Sequence, residues 1–279
     1  MDTLESQVIT DSRPPMPRFR KIRSGTLAVV AVLLYGLPVA GQEPEAGPLS
    51  TDRPTFSIGT STVLPGRFQF ELGYTYARSG ETDEHGFGEL LARLGILDWL
   101  EGRVGLNSFV LLKDPTADLD GLEDLTIGFK ARAYRSRDGS PWAVPNVSIL
   151  VGADLPTGAT GIGAGETVPF ATLATDWDLS HRVLLTSNLG WAYGSSDGER
   201  FHQGQASLAL GYSFSRALSG FVEWYGLFPE NRGGGANHYL NWGVVWLLGP
   251  NLQLDGRVGA GLQEPDPNWF TGVGLSFRL

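Results

Sequence analysis

Four histidines, His85, His181, His202 and His238, are the only imidazoles in the 279-residue chain, and it has no cysteine. A hydrolytic site needs a nucleophile, a base and an orienting group within reach of one another. His85 sits in a Gly/Glu-rich stretch, His181 in a short polar link, and His202 and His238 at the starts of strand-like stretches. None has a serine beside it in the pattern of a membrane lipid hydrolase. Asp83 and Glu84 beside His85 lack the spacing of a metal-ligand set. The run Gly158–Gly165 is not followed by the Lys-Ser/Thr of a phosphate loop and reads as a surface loop, as does Gly233–Gly235. The sequence therefore assigns no catalytic, cofactor-binding or metal residue.

What it does carry is charge laid out with period two. In a strand successive side chains point to opposite faces. By that parity Arg67, Glu71, Glu89, Arg93, Glu101, Arg103, Asp124, Lys130, Arg132, Asp176, Asp178, Arg182, Glu223, Asp255 and Arg257 share the polar faces of successive strands. If the apolar faces meet lipid, these residues form the wall of a lumen, and charges of both signs on such a wall sort solutes. The competing expectation is that they pair with one another and fill the barrel.

The elements that position them are easy to find. Phe68, Phe70, Leu72, Tyr74 and Tyr76 alternate with Arg67, Gln69, Glu71, Gly73 and Thr75 without a slip. Leu90–Ile96, Val104–Val110 and Leu125–Ala133 repeat the pattern, and further strands are expected near 142–154, 167–178 and 182–194. Gly204–Phe214, Leu218–Phe228, His238–Leu248, Leu252–Leu262 and Trp269–Leu279 complete a set of about twelve segments of roughly ten residues, the length a tilted strand needs to cross hydrocarbon. Short links at 97–99, 179–181, 215–217 and 249–251, with a longer one at 136–141, alternate with polar loops at 78–86, 113–122, 155–166, 195–200, 229–236 and 263–268. Short turns on one side and long loops on the other mark an up-and-down transmembrane barrel, with both chain ends on the short-turn, periplasmic side. Trp99, Trp142, Trp177 and Trp246 fall near the short turns and Trp191, Trp224 and Trp269 near the long loops, as two interfacial girdles would. A soluble sandwich shares the alternation but not the girdles or the loop asymmetry.

Composition agrees. Thirty-eight glycines, 8 tryptophans and 18% charged residues suit a turn-rich β protein. A net charge of −9 argues against a nucleic-acid partner. Arg18, Arg20, Lys21 and Arg23 precede the apolar run 26–40, too short to span a bilayer as a helix. A cationic start, an apolar run and small residues near Gly41 read as a signal peptide over 1–41, with Met16 an alternative start. Residues 42–65 form a periplasmic segment before the barrel at 66–279. That segment reads first as a tether against the rim and second as an inward fold that restricts the pore.

Thr51–Asp52–Arg53–Pro54, followed by Leu64–Pro65–Gly66–Arg67–Phe68–Gln69, Glu71 and Gly73–Tyr74–Thr75–Tyr76, resembles the opening of a bacterial outer-membrane family named for the MetA pathway of phenol degradation. Leu97–Gly105 and Gly121–Leu125 carry similar phrasing, and Thr55 stands where relatives often have an acidic or polar residue. The resemblance implies an outer-membrane, all-β barrel that passes small, aromatic or hydrophobic compounds. The last strand, Gly274–Leu279, with Phe277 third from the end, resembles the signal read by the barrel assembly machinery. The expected partners are thus outer-membrane lipid, that machinery and a small solute, with no cofactor. A non-conducting barrel with a filled lumen is the alternative, and a lipid hydrolase the weaker one. Eight strands leave a filled interior and about sixteen an aqueous channel, so twelve predict a narrow or partly plugged pore.

Overall fold

A computed structural model describes residues 47–137, 144–196, 199–229, 234–262 and 267–279. The signal peptide, Trp142 and parts of the links at 136–141, 195–200, 229–236 and 263–268 lie outside the described residues. The strands are β1 (Phe68–Ser79), β2 (Thr82–Leu97), β3 (Leu100–Lys113), β4 (Leu119–Leu122), β5 (Leu125–Tyr134), β6 (Asn146–Leu155), β7 (Val168–Ser180), β8 (Val183–Ser196), β9 (Glu199–Ser213), β10 (Leu218–Phe228), β11 (Asn237–Gly249), β12 (Leu252–Leu262) and β13 (Trp269–Arg278). Each pairs antiparallel with its neighbours, and β1 pairs with β13 from Gln69–Arg278 to Arg78–Trp269, closing the sheet. β4 and β5 share one position: β3 pairs with β4 through Phe109–Leu112 and with β5 through Leu100–Gly105. The wall is therefore a closed barrel of twelve strands.

Burial is inverted relative to a soluble protein. The fully buried side chains are largely polar, including Arg93, Lys130, Gln69, Glu71, Glu101, Glu223 and Asn241, while Phe68, Leu106, Phe129, Leu189, Val222, Trp246 and Val273 are exposed. A backbone whose N–H and C=O groups are all paired around a closed ring can present such an apolar face to lipid.

Two expectations need correction. The loops at 78–86 and 195–200 are mostly strand: β1 and β2 run to a closing pair Ser79–Thr82, and β8 and β9 to Ser196–Glu199. Beyond the hydrocarbon both faces of a hairpin meet polar surroundings, so the alternation that marks a strand fades while the pairing continues. Parity also fails within β2 and β3. Their register shifts between Phe87 and Leu91, and Glu89 and Asn107 take positive φ of 39° and 48°. The alternation expected over Val104–Val110 is broken there: Val104 and Leu106 are exposed, Val110 is buried and Phe109 takes the outer face. A bulge re-aims the residues that follow it, and Asn tolerates the left-handed region better than most residues.

Candidate functional site

Residues 47–66 fold into the lumen. The segment starts at the short-turn end, where Leu49 N donates to Pro250 O and Arg278 donates to Gly47 O. It climbs to Pro54–Phe56, descends through Thr60, and leaves along β2, where Gly66 N donates to Gly95 O. It is thus the inward of the two placements expected for this stretch.

An irregular segment in a closed space must find a partner for every backbone group. Here the wall supplies them. Glu71 accepts from Asp52 N and Arg53 N at 3.1 Å each, and Glu223 from Phe56 N and Ser57 N at 2.8 and 2.7 Å. Asn188 clamps both N and O of Ile58. Asp176 accepts from Thr60 N at 2.7 Å, and Glu101 from Val63 N at 2.8 Å. On the carbonyl side, Lys130 donates to Gly59 O, Ser148 to Thr60 O, and Arg257 to Pro54 O. Ser207 in β9 and the Val273 carbonyl in β13 accept from Ser57 and Arg53, and Gln253 in β12 donates to Thr51 Oγ1. With Arg93 and Asn241, every one of the twelve wall positions holds the segment by at least one contact.

The ion-paired charges form two balanced sets. Asp52, Glu71 and Glu101 face Arg93, Arg103 and Lys130. Arg93 reaches Glu71 at 2.8 Å and Glu101 at 3.0 Å, Arg103 reaches Asp52 at 2.6 Å, and Lys130 lies 3.5 Å from both Asp52 and Glu101. Beside them Arg53 pairs with Glu89 and lies 3.5 Å from Asp255, and Arg257 lies 3.9 Å from Glu89. Burial alone would raise the Asp52 carboxyl, but Lys130, Arg103 and Arg93 together outweigh it and hold the group well below the usual carboxylate range. Asp52 is thus the anion around which three wall cations converge.

Two wall glycines make room for the segment. A Cβ on Gly73 would stand 2.3 Å from Arg53 Nη1, and one on Gly95 would stand 1.9 Å from Leu64 O. A side chain at Gly95 would push the segment backbone off the wall, and one at Gly73 would displace the Arg53 guanidinium. Aromatic stacking completes the fit: Phe56 lies 4.4 Å from Tyr225, which lies 4.7 Å from Tyr239.

Space remains above and below. On the long-loop side a cavity of about 580 Å³ is lined by Phe56, Ile58, Asn107, Asp154, Phe170, Asn188 and Gln205, among others. A neighbouring cavity of about 370 Å³ shares Asn107, Thr126 and Phe170 with it. On the short-turn side a cavity of about 450 Å³ is bordered by Ser50, Ser61, Gln69, Arg132, Asp176 and Arg278. The inserted segment lies between the two sides.

Of the residues assigned to the wall by parity, Glu71, Glu89, Arg93, Glu101, Arg103, Lys130, Asp176, Glu223, Asp255 and Arg257 come together around this segment. Asp124 is buried elsewhere: its carboxylate accepts from Gly158 N and Ala164 N at 2.7 Å each and so pins the loop between β6 and β7. Arg67, Arg132, Asp178 and Arg182 lie toward the short-turn rim. Arg132 donates to the Asp98 carbonyl, and Arg182 is exposed in the β7–β8 turn. Thr51, Asp52, Arg53 and Pro54 enter the lumen, Gly66 turns at φ 75° into β1, and Phe68 points out toward lipid. The neutral members Asn188, Ser207, Asn241 and Gln253 were missed by a search for charge, although each shares the inward parity of its strand. Among the described residues no three metal-ligating side chains come together.

Residues 51–279 match the family described as "Putative MetA-pathway of phenol degradation". No curated protein matches the chain. Among solved structures it is similar to a COG4313 outer membrane channel from Pseudomonas putida F1, at 15% identity and a TM-score of 0.60, covering 79% of this chain and 98% of that one. The NanC porin is similar at 9% identity and a TM-score of 0.52, covering 75% and 100%. The KdgM porin is similar at 9% and 0.50, covering 75% and 98%.

Proposed function

The chain belongs to the family named for the MetA pathway of phenol degradation, and on that premise we propose that this outer-membrane channel passes small aromatic or hydrophobic solutes by passive or facilitated diffusion. The observation that carries the proposal is the split lumen, in which cavities on both sides are separated by one segment held without a covalent bond. The long-loop cavity has the size of a small-molecule site, within the usual range of roughly 300–1,000 Å³. It offers flat apolar surface from Phe56 and Phe170 beside amide and hydroxyl groups from Asn107, Asn188, Gln205 and Thr172. That mixture suits a small ring with one polar substituent. The ion-paired charges around Asp52 and Arg53 cancel and hold the segment, while Asp176 and Glu223 are taken up by hydrogen bonds from it, which leaves the lumen with a small excess of carboxylate.

No covalent chemistry is required. The solute enters from the long-loop side, rests above the segment, and continues when segment contacts give way. The second reading, a barrel whose lumen is permanently filled, is favoured by the contacts that the segment makes with all twelve wall positions. Single-channel recording from refolded mature protein in a planar bilayer separates the two, with aromatic acids and small sugars as blockers. Reproducible openings reduced by aromatic solutes support the channel. Silence from a demonstrably folded barrel supports the filled lumen.

A further inference from the structure

Charge is divided along the barrel axis. Glu81, Asp83, Glu84, Asp118, Asp120 and Glu199 stand in or beside the long-loop hairpins, against Arg78, Lys113 and Arg200. At the short-turn end Arg67, Arg132, Arg135, Arg182, Arg216 and Arg278 stand against Asp98 and Asp178. The long-loop end of a barrel is its outer side, so a solute arriving from outside meets carboxylates first. A mouth lined by one sign of charge concentrates the opposite sign.

Two further carboxylates stand inside, at the long-loop cavities. Asp154 in β6 shares the inward parity of Ser148 and Leu150, both buried, and lines the cavity of about 580 Å³. Glu123, between β4 and β5, lines the neighbouring one of about 370 Å³. Hydrogen bonds fix what their oxygens do. Asn107 Nδ2 donates to the Asp124 carbonyl and, at 3.0 Å, to Thr126 Oγ1. Thr126 Oγ1 therefore gives its own proton to Asp154 Oδ1, which accepts. Among the described residues Asp154 Oδ2 has no partner. Glu123 Oε2 accepts from Ser108 N at 2.7 Å, and its Oε1 is likewise without one. Of the other charged side chains lining these cavities, Arg103 is paired with Asp52 at 2.6 Å and Glu89 with Arg53. Asp124, next to Glu123 in the chain, accepts only from backbone N–H groups and adds a third negative charge.

Aromatic surface lies beside these oxygens. Asn107, Thr126 and Phe170 line both cavities, so the two meet at the same ring. Phe56, held against Tyr225 at 4.4 Å, lines the larger one. A cation over an aromatic face is attracted by the ring, and a nearby carboxylate adds a charge-assisted hydrogen bond. We propose that this outer vestibule selects organic cations: a protonated amine donates to the Asp154 and Glu123 carboxylates while its aromatic ring packs on Phe56 and Phe170. The inference rests on the reading of the barrel as a channel for small aromatic solutes and adds the charge that such a solute carries.

The test records single channels from the refolded mature barrel in a planar bilayer, with three blockers of one shape: benzylammonium, benzyl alcohol and benzoate. Benzylammonium is expected to block at about a tenfold lower concentration than benzyl alcohol, since a hydrogen bond to a charged group outdoes a neutral one, and benzoate to block least. The double substitution D154N/E123Q keeps acceptors for Thr126 Oγ1 and Ser108 N, and should bring benzylammonium to the level of benzyl alcohol. If the double variant does not fold, Asp154→Asn alone should remove most of the preference. Equal block by all three probes in wild type, or a benzylammonium preference that survives these substitutions, would overturn the inference and leave the aromatic channel standing. Block by none of them in an open channel would overturn both. Where openings are too rare to score, the same probes are titrated calorimetrically into the detergent-solubilised barrel. The same order of affinity is expected there, and equal or absent binding would overturn the inference.

Discussion

Glu223→Ala tests whether the inserted segment is held by its wall carboxylates. Glu223 is 1% exposed and accepts four hydrogen bonds: from Phe56 N, Ser57 N, Ser57 Oγ and Asn241 Nδ2, at 2.6–2.9 Å. Three of the donors belong to the segment. Alanine leaves the two backbone N–H groups without their acceptor, whereas Ser57 Oγ can still donate to Ser207 Oγ, and a buried donor left unpaired costs about 1–3 kcal/mol. Water from the adjoining long-loop cavity can reach part of this space, so the low end applies and the two sum to about 2 kcal/mol. At 1.4 kcal/mol per tenfold, the ratio of displaced to seated segment should rise by roughly thirtyfold. Single-channel recording should show openings far more frequent in the variant than in wild type, at unchanged folded fraction by heat-modifiable gel mobility. Glu223→Gln keeps one acceptor oxygen and should fall between them. If Glu223→Ala folds and its record matches wild type, the carboxylate does not hold the segment and the reasoning fails.

Three other outcomes follow from the same network. Arg93→Met strands Glu71 and Glu101 without their main cation in a buried setting, which typically costs roughly 3–5 kcal/mol; a lower melting temperature of the refolded barrel checks this, and an unchanged one contradicts it. Gly95→Val places a side chain where Leu64 O stands 1.9 Å from a Cβ, and should lift residues 63–65 from β2; the segment should then become a site of protease cleavage in detergent-solubilised barrel. The Asp52 carboxyl is held below its ordinary value of 3.8, so its stabilising contribution is complete above that value and is lost only as pH falls beneath it. Conductance should therefore stay flat between roughly pH 8 and 5 as far as Asp52 is concerned. A steep rise on acidification over that range would show that its three cations do not hold the group ionised.

Much of the barrel was legible because the bilayer imposes one rule on every strand. Phe68–Tyr76 and Leu125–Ala133 each needed only period two to place the polar side inward. The rule fails where its cause fails. At Arg78–His85 the hairpin projects past the hydrocarbon and the apolar face ends. At Gly88–Leu91 and Asn107 bulges shift parity, and only the local Gly86-Phe-Gly88 pattern hints at them. The site was legible in its charged members, because Arg93, Glu101 and Lys130 are costly to place anywhere but a polar lumen. The route of Thr51–Val63 was not, since its conformation depends on acceptors from strands more than a hundred residues away, such as Asp176 and Glu223. A segment without its own periodicity carries no local mark of where its partners lie.

If the inserted segment governs passage through this lumen, tying it to the wall must close the channel, and the absence of cysteine makes a direct test available. Ser57 Oγ lies 2.8 Å from Ser207 Oγ in β9. The pair Ser57→Cys, Ser207→Cys can therefore tie the segment to the wall and release it again. Single-channel recording on one membrane, first oxidised and then reduced, makes the comparison. Near silence is expected with the bond formed, and openings that return on reduction. Equal conductance in both states, with the bond verified by mass spectrometry, would contradict it.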